Sequence, residues 1–459
     1  MKGRKNGIIL LILMVILLVF PQFSEAEGIQ LSTLLTGETD QPLSVSISSL
    51  CFHSLAQYDE ERTGSLNRLL QHISAGILIE DPLTETTVYI DDEPVFSVYE
   101  WPQGNKTRKS FSFEPDTVLE TETSHEQKEE PAFTCFLDTQ FFRINRLMDS
   151  MYYLLEKFPS AFEDLCKSDK TALSFKKYGK AVRQVTIRFP ADYVRDHFPD
   201  ALCTLTESEE CRSFIRQLHF NGSQKIVLLY DTEDHIIRIN YDGTAGFSEE
   251  SLRKVSVNWK TLKAQDHLLD ELILKTPAIK GYDKYNLSYN RELDLTDPDH
   301  YAVLWNYELD LKAGEVRKKI QFTTDLRFEE NILKGKSQFS QKQDGKENKI
   351  TIEPAISKEY DAEYEGLLEI TNYSGKIVNS RITTRLRISP GNHLSLRESD
   401  HTRFIDSQSS EGSAAEERLQ SGLESILVNR LLLLPREDLD FFSKDIPDEI
   451  WNTLTQSLY

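Results

Sequence analysis

Between Tyr301 and Ser389 apolar and polar side chains alternate over runs far longer than an ordinary strand. Val303, Trp305, Tyr307, Leu309 and Leu311 interleave with Leu304, Asn306, Glu308 and Asp310. Past Ala313-Gly314, the row Ile320, Phe322, Thr324, Leu326 and Phe328 interleaves with Lys319, Gln321, Thr323, Asp325 and Arg327. A period of two puts each set on its own side of a strand, so these ribbons have one apolar and one charged face. Shorter strands follow around Leu333 to Phe339 and Ile350 to Pro354, with Asp344-Gly345 between them. Tyr364, Gly366, Leu368 and Ile370 then turn at Ser374-Gly375 into Val378, Ile382, Leu386 and Ile388. Parallel strands buried on both faces would read as continuous apolar runs, so the pattern predicts an antiparallel meander with one wet side. Strands of ten or more residues would span about 35–40 Å. Such a sheet must twist and curl, and its apolar concave face needs a cover.

The cover predicted for it is the segment Gln140 to Phe158, which places Phe141, Ile144, Met148, Met151, Leu155 and Phe158 on one helical stripe before Pro159. The fold class expected is therefore α+β: a curved, long-stranded antiparallel meander packed against one or two amphipathic helices. Towards the amino terminus, Leu43, Val45 and Ile47 alternate with serines as a strand. Glu60 to Ile77 reads as a helix capped by Asp59, Thr87 to Trp101 as a hairpin turning at Asp91-Asp92, and Arg108 to Phe113 as a strand. A strand marked by Val182 to Phe189, short helices around 192–202 and 209–219, and a hairpin over 226–241 occupy the middle of the chain. Two helical stripes, Leu419 to Leu431 and Asp448 to Leu458, close it.

These segments suggest a linear organisation. Lys2, Arg4 and Lys5, the apolar run Ile8 to Phe20 and Ser24-Glu25-Ala26 have the form of an export signal, with cleavage expected after Ala26. Residues 27–114 read as an amino-terminal α+β unit, 115–131 as an acidic linker or loop, and 132–395 as the antiparallel-sheet domain. A Ser- and Glu-rich linker over 396–417 and a helical tail over 418–459 complete the scheme. The location this implies is extracytoplasmic, secreted or in the cell envelope. No stable transmembrane anchor is expected once the signal is removed.

Composition changes the picture in two ways. A formal charge of −21 disfavours a nucleic-acid partner, which needs a positive field. Five cysteines are too few for a disulfide scaffold and form no C-x-x-C; Cys203 and Cys211 are close enough in sequence to be a candidate disulfide.

Catalytic signatures are sparse. Ser174 and Lys177 satisfy Ser-x-x-Lys, and Ser256-Val257-Asn258 offers a Ser-x-Asn partner, but Lys275-Thr276 is followed by Pro277 where that chemistry requires glycine. The densest oxygen-and-imidazole cluster, Asp294, Asp297, Asp299 and His300, lacks the glycine and bidentate Glu of a calcium loop and reads as a capped turn. No catalytic residue, metal ligand or cofactor is assigned, and the sequence leans away from an enzyme.

The function expected from these patterns is that of an exported, non-catalytic binding or interaction protein. Its ligand is unknown, and the curved sheet would hold an apolar molecule or a partner segment. Trp305, Tyr307, Phe322, Phe328, Tyr364 and Leu368 are the residues expected to line that face. For any one of them plain core is the commoner role. A structural or assembly component meeting envelope proteins through strand edges is the alternative, and an enzyme of unrecognised type the second alternative.

Overall fold

The computed structural model describes residues 42–56, 58–80, 83–103, 106–114, 117–124, 143–246, 249, 252–264, 267–276, 284–297, 300–360, 363–393, 403–406, 429–431 and 433–439. The expected export signal, Cys135 and most of the expected helical tail lie outside the described residues. The described residues are mostly antiparallel strand in meander order, with few helices.

In chain order the elements are β1 (Leu43–Leu55), α1 (Glu60–Leu70), β2 (Ile73–Glu80), β3 (Leu83–Ile90), β4 (Glu93–Gln103), β5 (Lys106–Glu114) and β6 (Thr117–Ser124). Then come α2 (Arg143–Glu156), α3 (Phe158–Ala161), β7 (Cys166–Phe175), β8 (Gly179–Phe189), α4 (Ala191–Leu205), α5 (Glu209–Arg216), β9 (His219–Tyr230) and β10 (Ile236–Gly246). The long strands β11 (Arg253–Ala264), β12 (His267–Thr276), β13 (Lys284–Asp297), β14 (His300–Ala313), β15 (Val316–Glu329) and β16 (Ile332–Gln343) follow. The series ends with β17 (Lys346–Tyr360), β18 (Glu363–Ser374), β19 (Ile377–Pro390) and β20 (Arg403–Asp406).

The chain divides into two compact units. The first contains the described residues of Met1–Glu130, Glu330–Lys334 and Thr351–Tyr459, and the second those of Pro131–Glu329 and Gly335–Ile350. These differ from the linear scheme because β1 does not close a separate amino-terminal unit. It pairs with β19 on one side and β2 on the other, setting Val45 opposite both Ile388 and Ile77.

In the first unit β18, β19, β1, β2, β3, β4, β5 and β6 pair antiparallel in that order, and β20 adds to β6 in parallel. The turn between β3 and β4 falls at Asp91 and Asp92, both with positive φ as a two-residue hairpin requires. The α1 helix starts as expected, with the Asp59 side chain accepting from the Arg62 N–H, but it ends at Leu70. Ile73, Ala75, Ile77 and Ile79 belong instead to β2, because their period of two fits the pairing with β1 and β3, and a helix would have had to carry Gly76 in its interior. Leu66, Leu69 and Leu70 pack with Leu50, Phe52, Phe96, Leu431 and Leu434.

Two expected linkers contain strands. Thr117–Ser124 is β6, which pairs antiparallel with β5 and sets Glu122 in register opposite Arg108. Arg403–Asp406 is β20.

In the second unit β7 to β15 pair antiparallel in succession. The segment around α3 is pinned by Phe158, Phe162, Phe189, Tyr193 and Phe198, whose rings meet edge-on, tilted or, for Phe189 and Tyr193, stacked, at centroid distances of 4.6–6.4 Å. No helix among the described residues is long and apolar enough to cross a membrane.

Candidate functional site

The strands β14 and β15 follow the alternation read from their sequence: Tyr301, Val303, Tyr307, Leu309 and Leu311 are buried, as are Ile320, Phe322, Thr324 and Phe328. Residues directly opposite in an antiparallel ladder share a face. Register therefore groups the buried face of the second unit into rows across the strands. One row is aromatic and aliphatic: Trp259, Leu272, Tyr289, Tyr307 and Phe322. The neighbouring row is Thr261, Asp270, Arg291, Trp305 and Thr324, and Thr324 Oγ1 continues it by bonding Ser337 Oγ at 3.1 Å. A polar stripe thus crosses an otherwise apolar face.

Its centre is a buried charge network. Arg291 Nε and Nη2 donate to Asp270 Oδ2 at 3.0 and 2.7 Å, and Trp259 Nε1 donates to Asp270 Oδ1 at 2.8 Å. The Asp270 side chain is 0% exposed and that of Arg291 5%. Burial alone would lower the Arg291 pKa, but the carboxylates of Asp270 and Asp149 outweigh it, so the net shift is upward and the guanidinium stays charged.

Asp149 reaches this network from α2. Asn145, Met148, Asp149 and Tyr152 recur at the three- and four-residue spacing of one helix face. Tyr289 donates its hydroxyl to Asn145 Oδ1, the Tyr152 ring meets the edge of Trp259 at 6.3 Å, and Asp149 Oδ1 accepts from both Arg291 Nη2 at 2.9 Å and Lys263 Nζ at 2.7 Å. The helix therefore covers β11 to β13. Burial pushes the Asp149 carboxyl up, but Arg291 and Lys263 overcome it and hold it below the ordinary carboxylate range. The Asp149 side chain remains 43% exposed, so this oxygen lies at the edge of the network.

Of the residues expected to line a binding face, Tyr307 and Phe322 lie directly opposite one another, and Trp305 is the half-buried member of the polar row. Phe328 is farther along β15 and stacks on Tyr301 at 4.7 Å. Tyr364 and Leu368 are buried on β18 of the first unit. The charged members of the network, Asp149, Lys263, Asp270 and Arg291, were not among them. Cys203 and Cys211 are not bridged: Cys203 Sγ lies 3.9 Å from the Arg212 carbonyl oxygen, and Cys211 Sγ lies 3.6 Å from Met151 Sδ.

The remaining motifs resolve into structure. Ser174 is exposed on β7, while Lys177, at a positive-φ turn position, pairs with Glu292 at 2.7 Å. Thr296 Oγ1 donates to Asp294, and His300 Nδ1 lies 3.0 Å from Asp297, as in a capped turn. No group of three or more metal-binding side chains occurs among the described residues. In the first unit an open recess of about 490 Å³ lies beside α1, lined in part by Cys51, His53, Tyr58, Glu60 and Val378. Its Asn67 is committed to the Phe52 backbone, and His53 Nε2 to Thr383 Oγ1 at 2.8 Å.

No protein-family model and no curated protein matches the chain. Among solved structures, the outer-membrane-expressed OmpT of Vibrio cholerae covers 76% of this chain and 95% of its own, at 8% identity and a TM-score of 0.22. Pseudomonas aeruginosa OccK3 also covers 76% of this chain and 95% of its own, at 6% identity and a TM-score of 0.23. Superpositions this loose carry no argument about fold or function.

Proposed function

We propose that this protein is an exported, non-catalytic binding protein that holds an apolar ligand or partner segment against the buried sheet face of its second unit, beneath α2. The observation that carries the reading is the way α2 is fastened. Its amino-terminal half lies over an apolar row through polar links from Asn145 and Asp149, whereas the segment that follows it is fixed among aromatic rings. A helix with a rigid end and a hydrogen-bonded end is suited to uncovering the surface it protects.

The carboxylates with resolved shifts support binding over carboxylate acid–base chemistry. A general acid or base works with a pKa near the operating pH. The resolved carboxylate shifts, at Asp149, Asp294 and Asp310, all run downward, away from that range.

Native mass spectrometry of the full chain purified from its own source tests the proposal. A co-purifying apolar molecule or peptide, lost when α2 is tethered to β11 by an engineered disulfide, is the expected result. A chain that carries nothing and takes up no apolar probe overturns it.

A further inference from the structure

We propose that Lys263 and Arg291 form a headgroup subsite for an anionic amphiphile, and that Asp149 occupies this subsite as an internal placeholder. The inference rests on the binding function proposed above and names the chemistry of the ligand.

Three observations carry it. First, two cations, from β11 and β13 on either side of β12, converge on a single oxygen, Asp149 Oδ1, at 2.7 and 2.9 Å. That is the arrangement a carboxylate or phosphate oxygen of a ligand would meet, and here a carboxylate supplied by the chain's own helix satisfies it. Second, the two cations differ in what else holds them. Arg291 is anchored from below by Asp270, so removing Asp149 leaves it in place and partly neutralised. Among the described residues Lys263 reaches no carboxylate but Asp149, and it otherwise lies over the Tyr152 and Tyr153 rings, at 4.5 and 5.5 Å. Displacement of Asp149 would leave a cation in a half-buried setting, which an incoming anion would satisfy. Third, the subsite has an apolar floor on one side. Trp259, Leu272 and Tyr289 form the adjoining row beneath the same helix face, next to Thr261, whose Oγ1 is buried without a hydrogen-bond partner among the described residues. A ligand that displaces α2 must replace both kinds of contact, an anion for Asp149 and an apolar chain for Met148 and Tyr152. An amphiphile with a carboxylate or phosphate head has both.

The test is titration of the full-length protein with oleate, dodecyl phosphate, oleyl alcohol, acetate and inorganic phosphate. It is followed by tryptophan fluorescence below the micellar range, in wild type, Asp149→Asn, Lys263→Met and Lys263→Arg, with folding of each variant checked by circular dichroism. Oleate or dodecyl phosphate should bind the wild type. Asp149→Asn should tighten that binding about tenfold or more, because the competing carboxylate is gone, and by clearly more than it tightens binding of oleyl alcohol, which gains only from the loosened helix. Lys263→Met should weaken it by a similar factor, and Lys263→Arg should retain it. Dodecanoate, titrated alongside, matches dodecyl phosphate in chain length, so the relative strength of that pair tells a carboxylate head from a phosphate head. If oleate and oleyl alcohol bind equally in all variants, the headgroup subsite is overturned while the apolar-ligand function stands. If acetate or inorganic phosphate binds as tightly as the amphiphiles, the site takes small anions and the proposal fails. If no probe binds any variant, the subsite and the binding function fall together.

Discussion

Arg291 stands directly across the β12–β13 ladder from Asp270, and two of its nitrogens bond one carboxylate oxygen on a face that is otherwise apolar. Removing one member of a buried pair leaves the other uncompensated, which costs about 3–5 kcal/mol. Asp270→Asn should therefore lower the urea midpoint strongly. The double variant Asp270→Leu with Arg291→Met removes both charges and should recover most of the loss. A double-mutant cycle with the single variants Asp270→Leu and Arg291→Met, followed by urea denaturation, checks this; the part not recovered comes from Asp149 and Trp259, which also lose a partner.

Asn67 on α1 does the work of a strand neighbour for β1. Its Oδ1 accepts from the Phe52 N–H at 2.7 Å and its Nδ2 donates to the Phe52 carbonyl at 2.8 Å, at the point where β1 slips register against β19. Asn67→Ala strips both partners from a backbone that is partly buried and should destabilise the protein by about 1–3 kcal/mol. Asn67→Asp retains only the acceptor and should fall between. Thermal unfolding of the three proteins orders them.

The alternation over 301–389 made β14, β15, β18 and β19 legible, because apolar residues recur at most alternate positions. The same logic hid the central network. In β12 and β13 the inward positions include Asp270 and Arg291, and a charge at such a position reads as the wet side of a strand. Only register shows that the two charges face each other. The helix extended over Glu60 to Ile77 failed for a related reason: Ile73 and Ile77 satisfy the helical and the strand period at once, and the tertiary partners β1 and β3 decide. Pairing of β1 with β19 joins positions more than three hundred residues apart and leaves no mark in local pattern.

Two glycines should respond in opposite directions to alanine. A Cβ on Gly366 of β18 would run into the Ala355 carbonyl oxygen and Ile356 Cα of β17, backbone atoms that cannot yield cheaply. Gly366→Ala should cost about 1–3 kcal/mol through overpacking. A Cβ on Gly64, inside α1, meets open space, so Gly64→Ala should stabilise by about 0.5–1 kcal/mol through helix propensity. Paired urea melts read both signs, and destabilisation by Gly64→Ala would show that α1 is not a simple helix at that point.

His72 joins two segments through its ring: Nδ1 lies 2.6 Å from Asp91 on the β3–β4 turn, and Nε2 lies 3.1 Å from Asp438 beside the buried Leu434 and Leu439. Both nitrogens can donate only in the imidazolium form. Burial lowers the pKa, but the hydrogen bonds and charges of Asp91 and Asp438 outweigh it, and the net shift is upward. A raised folded pKa means that the stabilisation is complete below the unfolded value of about 6.5 and is lost as pH rises through the folded value. The segment 433–439 should therefore be held most firmly in mild acid and loosen in mild alkali. Its amide hydrogen exchange, corrected for intrinsic rate, should quicken between those conditions, and NMR titration should place the His72 midpoint above that of an exposed histidine. Asp438→Asn should bring the midpoint down and flatten the pH dependence of exchange; an unchanged midpoint in that variant would rule out the clasp.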